Sequence, residues 1–599
     1  MNKNIILGAA AIALSVGSLT AATKPALSKL NISNICPPGL FQGNMAFIDA
    51  NNDGNLELLV KGRDVPNGWA TTIKLLSGDG YGYTAGADIS DPDGCSWQRV
   101  VVPIDYNADG NIDFILGSSW NAKLMQGDGS GNFTMVDTEL FKLDGEISID
   151  GSDGERWYCG LTAVADFNGD GYPDIVTFCG NPREDQGEPV LFINKGGTGE
   201  FEKMAGIGLN PQRGGTMAVG DFNKDGYPDL AVLGWIDNDR VRLYKNDGNG
   251  MFEETCSANF DELNAGTENG YIMFVDADND GWLDIFVTGE SCPQGWAKQA
   301  ALYKNNNGTA FTKIEGLDFP GVKAAGADWA DLNGDGLMDI VYAGESDNGE
   351  ICVVAYANGD GTFTVNNEII AGHRGGASVA IADFNNNFKP DVAVMGYGSG
   401  DLFELYNNAT SRGTYSAPSA PANPVCEAKG DKTEFRWEAG SDKVAPEAAL
   451  RYNLYVKTKE GKVFCTVPAD PTTGKLLQGD VHAASTALTR TLNIKKDDIA
   501  EWGVQTINSA RLVSEFAKGT DAGSGVAEIN TESFSVVYAG GILSASADSE
   551  VAAYDMSGAK VASFALAADE NAALNLENGV YLLVAKCADA VKTLKIVVK

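Results

Sequence analysis

Asp166-Phe-Asn-Gly-Asp-Gly-Tyr-Pro-Asp174 and Asp221-Phe-Asn-Lys-Asp-Gly-Tyr-Pro-Asp229 are two copies of one nine-residue segment. Five further copies run as DANNDGNLE (Asp49–Glu57), DYNADGNID (Asp105–Asp113), DADNDGWLD (Asp276–Asp284), DLNGDGLMD (Asp331–Asp339) and DFNNNFKPD (Asp383–Asp391). Successive copies start 56, 61, 55, 55, 55 and 52 residues apart, and a fixed period of this size marks a repeat architecture. The surroundings repeat as well. An alternating apolar run precedes the segment (Leu161 to Ala165) and another follows it (Ile175 to Phe178); a variable loop, a third run (Val190 to Asn194), a Gly-rich turn and a fourth run from Phe201 complete the unit. Short runs of Val, Ile, Phe and Tyr bounded by Gly and Asn read as strands. Four antiparallel strands repeated seven times predict an all-β chain whose main part is a seven-bladed propeller.

The loop chemistry points to a hard cation. Oxygens at positions 1, 3 and 5 converge when the chain turns tightly, Gly at position 6 supplies the left-handed backbone, and position 7 offers its carbonyl. A carboxylate at position 9 then closes the shell from the start of the next strand. The expected side-chain ligands are Asp49, Asn51, Asp53 and Glu57 in the first loop, then Asp105, Asn107, Asp109 and Asp113 in the second. Asp166, Asn168, Asp170 and Asp174 follow in the third, and Asp221, Asn223, Asp225 and Asp229 in the fourth. The fifth has Asp276, Asp278, Asp280 and Asp284, and the sixth Asp331, Asn333, Asp335 and Asp339. Position 7 is Asn55, Asn111, Tyr172, Tyr227, Trp282 and Leu337 in turn. These loops are expected to bind about six Ca2+ ions in a mainly structural role. The seventh loop has Asn387 at position 5 and Phe388 in place of Gly, and is expected to bind none. The closing acid stands at position 9, not 12, and no helical pattern flanks it, which excludes an EF-hand.

Period, blade pattern and the D-x-[DN]-x-[DN]-G-x-x-[DE] loop together resemble the FG-GAP or VCBS repeats of integrin-α-like propellers, across roughly residues 31–416 of a propeller domain spanning 24–416. Such a ring must close on itself. The last blade is short of a fourth strand, with Gly413 to Ser416 at best, so Ala26 to Ser33 is expected to supply it.

Strand direction sorts the loops onto two faces, with the calcium loops on one. The opposite rim collects Trp69, Trp120, Trp235 and Trp296 in loops between the second and third strands, and Trp97 and Trp157 between blades. Tyr158, Arg99, Arg156, Arg213, Lys323, His373 and Arg374 belong to the same face. Aromatic rings beside arginines suit stacking on a sugar or anchoring a protein. The competing reading is that these tryptophans only plug grooves between blades.

Formal net charge is −37, which opposes encounter with nucleic acid or an anionic membrane. Lys3, the apolar Ile5–Leu14 and Thr20-Ala21-Ala22 form a signal-peptide pattern over residues 1–22. No later run is long and apolar enough to span a bilayer. Export permits disulfides; the pairings suggested by position are Cys159 with Cys179, Cys36 with Cys95, Cys256 with Cys292 and Cys426 with Cys465, leaving Cys352 and Cys587.

Pro418, Pro421 and Pro424 read as a stiff linker into a domain over 418–530. Its runs Phe435 to Trp437, Arg451 to Val456 and Trp502 to Asn508 resemble a fibronectin type III sandwich, with Trp502 where that family more often has Tyr. The resemblance implies a spacer, with His482 on its surface. Residues 538–599, with Val551 to Gly558, Asn578 to Leu583 and the terminal Lys595 to Lys599, resemble a type IX secretion C-terminal sorting domain. That implies the outer-membrane secretion machinery as a partner, and a cell-surface or extracellular location.

The function expected from these features is recognition of a glycan or extracellular protein in the manner of an adhesin. The alternatives are a polysaccharide lyase or glycosidase on the same propeller, or a purely structural surface protein. The chain holds two His, no H-E-x-x-H, no G-x-S-x-G and no phosphate loop, and no catalytic residue can be nominated.

Overall fold

The computed structural model describes residues 27–30, 40–64, 70–90, 100–117, 122–136, 162–181, 186–211, 215–234, 241–256, 260, 270–291, 297–368, 370, 374–397, 403–409 and 415–521. Toward the C-terminus it describes 536–539, 542–545, 549–555, 559–567, 571–573, 576, 579–587 and 590–598. The repeats fold into seven four-stranded antiparallel sheets, six of them built in chain order from the innermost strand outward and the seventh completed by a strand from the start of the chain. The innermost strands touch one another around a closed cycle: Leu40–Ile48, Val100–Ile104, Thr162–Ala165, Thr216–Gly220, Tyr271–Val275, Lys323–Ala330 and Arg374–Ala382. This is the expected all-β propeller.

The core lies between sheets, not within them. In the fourth sheet Asp229–Leu233 is buried throughout, because one face meets the third sheet and the other meets the fifth. Phe222, Ala231, Leu233 and Leu243 pack with Ile272, Phe274, Ile285 and Tyr303 of the next blade. Burial on both faces explains why the second strands read as unbroken apolar runs in place of an alternation.

Ring closure follows the expected route. Leu27–Lys29 is the outermost strand of the seventh sheet, with Leu27 opposite Asn408 and Lys29 opposite Tyr406. The Leu30 amide extends the ladder to the Leu405 carbonyl at 2.8 Å. Lys29 forms an ion pair with Glu404, whose own side chain is buried.

A recurring asparagine at the end of the third strand ties four of the sheets to the one before. The Asn246 side-chain amide donates to the Phe167 carbonyl of the preceding blade at 2.9 Å and to Pro228 at 3.1 Å. Asn194 does the same to Tyr106 and Pro173, Asn305 to Phe222 and Leu283, and Asn408 to Leu332 and Pro390. Each of these side chains is buried. Replacing Asn246 by Ala strands two buried carbonyls and is expected to cost about 1–3 kcal/mol. Urea unfolding measures it, and an unchanged midpoint would show that water replaces the amide at no cost.

Residues 422–521 form a sandwich of two four-stranded sheets. One runs Thr489–Leu492, Lys432–Glu438, Ala422–Lys429, Thr520–Asp521; the other runs Val463–Cys465, Arg451–Thr458, Ile499–Ile507, Ala517–Lys518. Trp502 is buried edge-on against Phe435, ring centres 4.9 Å apart. Cys426 and Cys465 stand in different sheets and no disulfide joins them, so the pairing suggested by sequence does not form. Cys256 is also free, its thiol 3.2 Å from the Thr309 carbonyl, and Cys352 is a buried thiol. The remaining suggested pairs involve Cys36, Cys95, Cys159 and Cys292, which lie outside the described residues.

The chain divides into two compact units at Thr520 and Asp521. The second unit carries a three-stranded sheet (Val536–Ala539, Ile542–Ala545, Asn571–Ala573) and a four-stranded one (Lys560–Leu566, Ser549–Tyr554, Gly579–Cys587, Ala590–Val598). Among the described residues no helix is long and apolar enough to cross a membrane.

Candidate metal centres and the domain docked on them

Each nine-residue segment joins the first strand of a sheet to the second, and its own amides fold it around the first carboxylate. In the first loop the Asp53 and Gly54 amides donate to the two oxygens of Asp49 at 3.1 and 2.9 Å. Asp105, Asp221 and Asp331 are held in the same way by their fifth and sixth residues. Next, the position-5 amide donates to the position-3 side chain, as Asp225 does to Asn223 at 2.9 Å. The position-7 amide then donates to the position-5 carboxylate, as Trp282 does to Asp280 at 2.9 Å. Position 6 requires the left-handed region: φ is +83° at Gly54, +87° at Gly226 and +87° at Gly336. The seventh loop keeps the same turn with Phe388 forced to φ +66°, its ring exposed.

The position-9 acid has a second task that sequence alone did not disclose. Asp229 accepts the Phe222 amide on one oxygen at 3.2 Å and the Asn246 amide on the other at 2.9 Å, and is completely buried. Asp113, Asp174, Asp284 and Asp339 repeat this bridge. Asp391 of the seventh blade accepts the Asn408 amide in the same place. One carboxylate therefore staples strand ends and still has lone pairs facing the loop.

These residues fit a divalent cation. In the fifth loop, ligand oxygens of Asp276, Asp278 and Asp284 lie within 4.8 Å of one another. Buried oxygens of Asp166, Asp276 and Asp278 have no hydrogen-bond partner. Burial, reinforced by the neighbouring carboxylates, pushes Asp105, Asp170 and Asp331 up to about 7 and Asp113 up to about 8. Burial, with Asp280 and Asp278 adding to it against Arg451, does the same for Asp276, to about 7. A cluster that resists holding its own negative charge is one that a bound cation would relieve.

The face that carries these loops is not free. The sandwich sits on it, contacting the loops of six sheets, so the expected role as a spacer is wrong. Lys462 donates to the Asn107 and Gly197 carbonyls at 2.7 Å each, Ser485 to Asp221 at 2.8 Å, Thr486 to the Gly281 carbonyl at 2.7 Å, and Arg490 to Asp166 at 3.0 Å. The Asp49 amide meets the Leu477 carbonyl, and the Asp331 amide the Ser509 carbonyl. Phe464 packs on Tyr172, ring centres 5.8 Å apart.

At the mouth of the ring the sandwich inserts two arginines and a histidine. Arg511 donates to the carbonyls of Ile381 at 2.7 Å, Gly479 at 3.1 Å and Trp329 at 2.5 Å, and forms an ion pair with Asp328. Arg451 lies over the fully buried Trp329 ring at 4.5 Å. His482, expected on the surface, stands between Asp328 at 3.3 Å and Asp480 at 3.0 Å. Burial opposes its charge, yet the two carboxylates carry it up to about 9. Between the loops of the first four sheets and the sandwich a cavity of about 540 Å³ remains, lined by Asp105, Asp166, Tyr227, Thr466 and Arg490 among others.

Of the opposite rim, Trp69, Trp97, Trp120, Trp157, Tyr158, Arg213, Trp235 and Trp296 lie outside the described residues, as do Arg99, Arg156 and His373. Arg374 opens its strand, but its side chain is likewise outside the description. Lys323 is spoken for by Glu290 at 2.8 Å, and Lys298 by Glu345 at 3.3 Å.

An FG-GAP-like repeat model matches residues 105–177, 166–232, 232–287 and 331–394. Human integrin alpha-7 is 30% identical over 154 residues, which is 22% of this chain and 12% of that protein. Among solved structures, a lectin of Agrocybe aegerita that recognises non-reducing terminal N-acetylglucosamine is 18% identical, with a TM-score of 0.38 over 55% of this chain and 80% of that one. The Dos1 propeller is 12% identical, with a TM-score of 0.36 over 62% and 78%. The fucose-specific lectin of Aleuria aurantia is 11% identical, with a TM-score of 0.31 over 55% and 96%. The chain thus carries FG-GAP-like repeats and spans about an eighth of the curated relative's length.

Proposed function

We propose that this protein is a calcium-binding propeller of the cell surface or extracellular space that recognises a glycan or a protein on the rim opposite its calcium loops. The observation that carries the reading is the docked sandwich. With the loop face covered and its mouth filled by Arg451, His482 and Arg511, the broad face left for a partner is the rim where the sequence concentrates six tryptophans. Aromatic rings set among charged side chains are the usual chemistry of sugar and protein hot spots. The integrin-like repeats agree with an outside location, as do the signal-peptide pattern and the sorting-domain resemblance of the last sixty residues or so. The fibronectin type III resemblance is retained for the sandwich, now as a cap. Calcium would be held by the position-1, 3, 5 and 9 side chains of the six intact loops, where it would supply fixed positive charge.

The test is to probe the calcium-loaded full chain on arrays of glycans and extracellular-matrix proteins. Binding that falls at least tenfold in Trp97→Ala, Trp157→Ala or Trp296→Ala is the expected result. A folded protein that binds nothing on the array overturns it, and cleavage of an arrayed polysaccharide would establish the enzyme in its place.

A further inference from the structure

The third loop differs from its neighbours in what reaches its first carboxylate. Arg490, on the sandwich strand Thr489–Leu492, donates one guanidinium nitrogen to Thr466 at 2.6 Å and another to Asp166 at 3.0 Å. Both partners are shielded, with 14% of the Arg490 side chain and 7% of the Asp166 side chain exposed. The other Asp166 oxygen is buried without a hydrogen-bond partner. In the fourth loop the equivalent carboxylate, Asp221, receives a neutral hydroxyl from Ser485. One turn of chain past Arg490, the Asn493 amide is hydrogen-bonded to the Gly169 carbonyl inside the third loop.

We infer that the third loop is a latch in which Arg490 and a divalent cation compete for Asp166. This rests on the calcium reading of the loops. A guanidinium and a divalent ion on one buried carboxylate repel each other in a medium that screens them poorly. The docked sandwich therefore lowers the calcium affinity of this loop, and calcium in the loop loosens the sandwich at this corner by the same factor, because the coupling is reciprocal. The hydroxyl of Ser485 imposes no such repulsion on Asp221, although Lys245 pairs with Asp225 of the same loop at 3.1 Å. Arg490 and Asp166 both line the interdomain cavity, which gives an ion a route to the site while the domains stay docked.

The full chain and its Arg490→Met variant, which keeps the aliphatic stem, are titrated with calcium by calorimetry. Hydrogen exchange at Asn493 is followed in the unmodified protein with and without calcium. The expected result is that one site of the native chain tightens about tenfold in the variant, a typical coupling, together with faster exchange at Asn493 when calcium is added. An isotherm indifferent to Arg490, or a site that weakens in the variant, overturns the latch while leaving the calcium loops standing. Slower or unchanged exchange at Asn493 overturns it without recourse to any variant. No calcium binding by the native chain removes the loop reading itself, and the latch with it.

Discussion

Replacing Arg511 by Ala destabilises the unit formed by propeller and sandwich by about 3–5 kcal/mol, the usual cost of removing one partner of a buried ion pair. The size follows from what is left behind. Asp328, whose carboxylate Arg511 and His482 hold below its ordinary range against the effect of burial, would face the ring mouth with the histidine alone. The carbonyls of Ile381, Gly479 and Trp329 would lose their donor at the same time. Arg511 adopts φ +62°, a backbone conformation that costs a residue with a Cβ roughly 1–2 kcal/mol and that the guanidinium contacts offset. Chemical unfolding of the full chain measures the loss. A midpoint shift worth less than about 1 kcal/mol, at the low end for any lost charged hydrogen bond, would mean that the plug follows docking and does not hold it.

If the loops hold calcium as proposed, removing it has the other large effect, and its size depends on pH. With dissociation constants of about 10⁻⁴–10⁻³ M, as in extracellular modules, 1 mM calcium stabilises each loop by about 0.4–1.4 kcal/mol, or roughly 2–8 kcal/mol over six loops. Without the ion, Asp105, Asp170, Asp276, Asp331 and Asp113 titrate at about 7 to 8 in the folded chain, well above an unfolded value near 4. An acid whose pKa rises on folding binds a proton in the native state that the unfolded state has already released. Its contribution is full below about pH 4 and is lost as pH climbs through about 7–8. The chelated protein is therefore expected to melt at progressively lower temperature between pH 5 and pH 8. Calcium takes only the ionised carboxylates, so the gap between loaded and chelated melting temperatures should widen over the same interval. Calorimetric scans at pH 5, 6.5 and 8 check it; a gap that is constant or closes toward pH 8 is the contrary result.

What sequence could and could not disclose follows from what each contact is made of. The loop turns and blades were legible because acids and glycines repeat at a fixed offset, and because a strand buried on both faces must be apolar throughout. The ring-closing strand was legible because a sheet short by one strand has an unpaired edge. Docking of the sandwich was not. Lys462, Thr486 and Asn493 reach for backbone carbonyls of the propeller loops, and a carbonyl carries no mark of its partner in the sequence. Arg490, His482 and Arg511 look like any charged residues of a β-sandwich surface until a second domain covers them. The blade-tying asparagines Asn194, Asn246, Asn305 and Asn408 did leave a signal, the same residue at the same place in four repeats, but an asparagine at a strand end does not say which carbonyl it reaches. The pairing of Cys426 with Cys465 failed because sharing a domain does not place two residues on facing strands.

The strand Leu27–Lys29 closes the ring against partners some 379 positions later in the chain. It is among the first parts of the propeller to be synthesised and must wait for its neighbours until the seventh blade exists. Until then two edges stand open, with the apolar flank of the first sheet and that of the last sheet yet formed uncovered. The entropy of joining such distant segments grows only with the logarithm of the separation, so equilibrium stability is little affected. The delay falls on the folding clock. The long interval before closure is when this chain is most open to edge-to-edge association with its own copies, and when a chaperone would matter most.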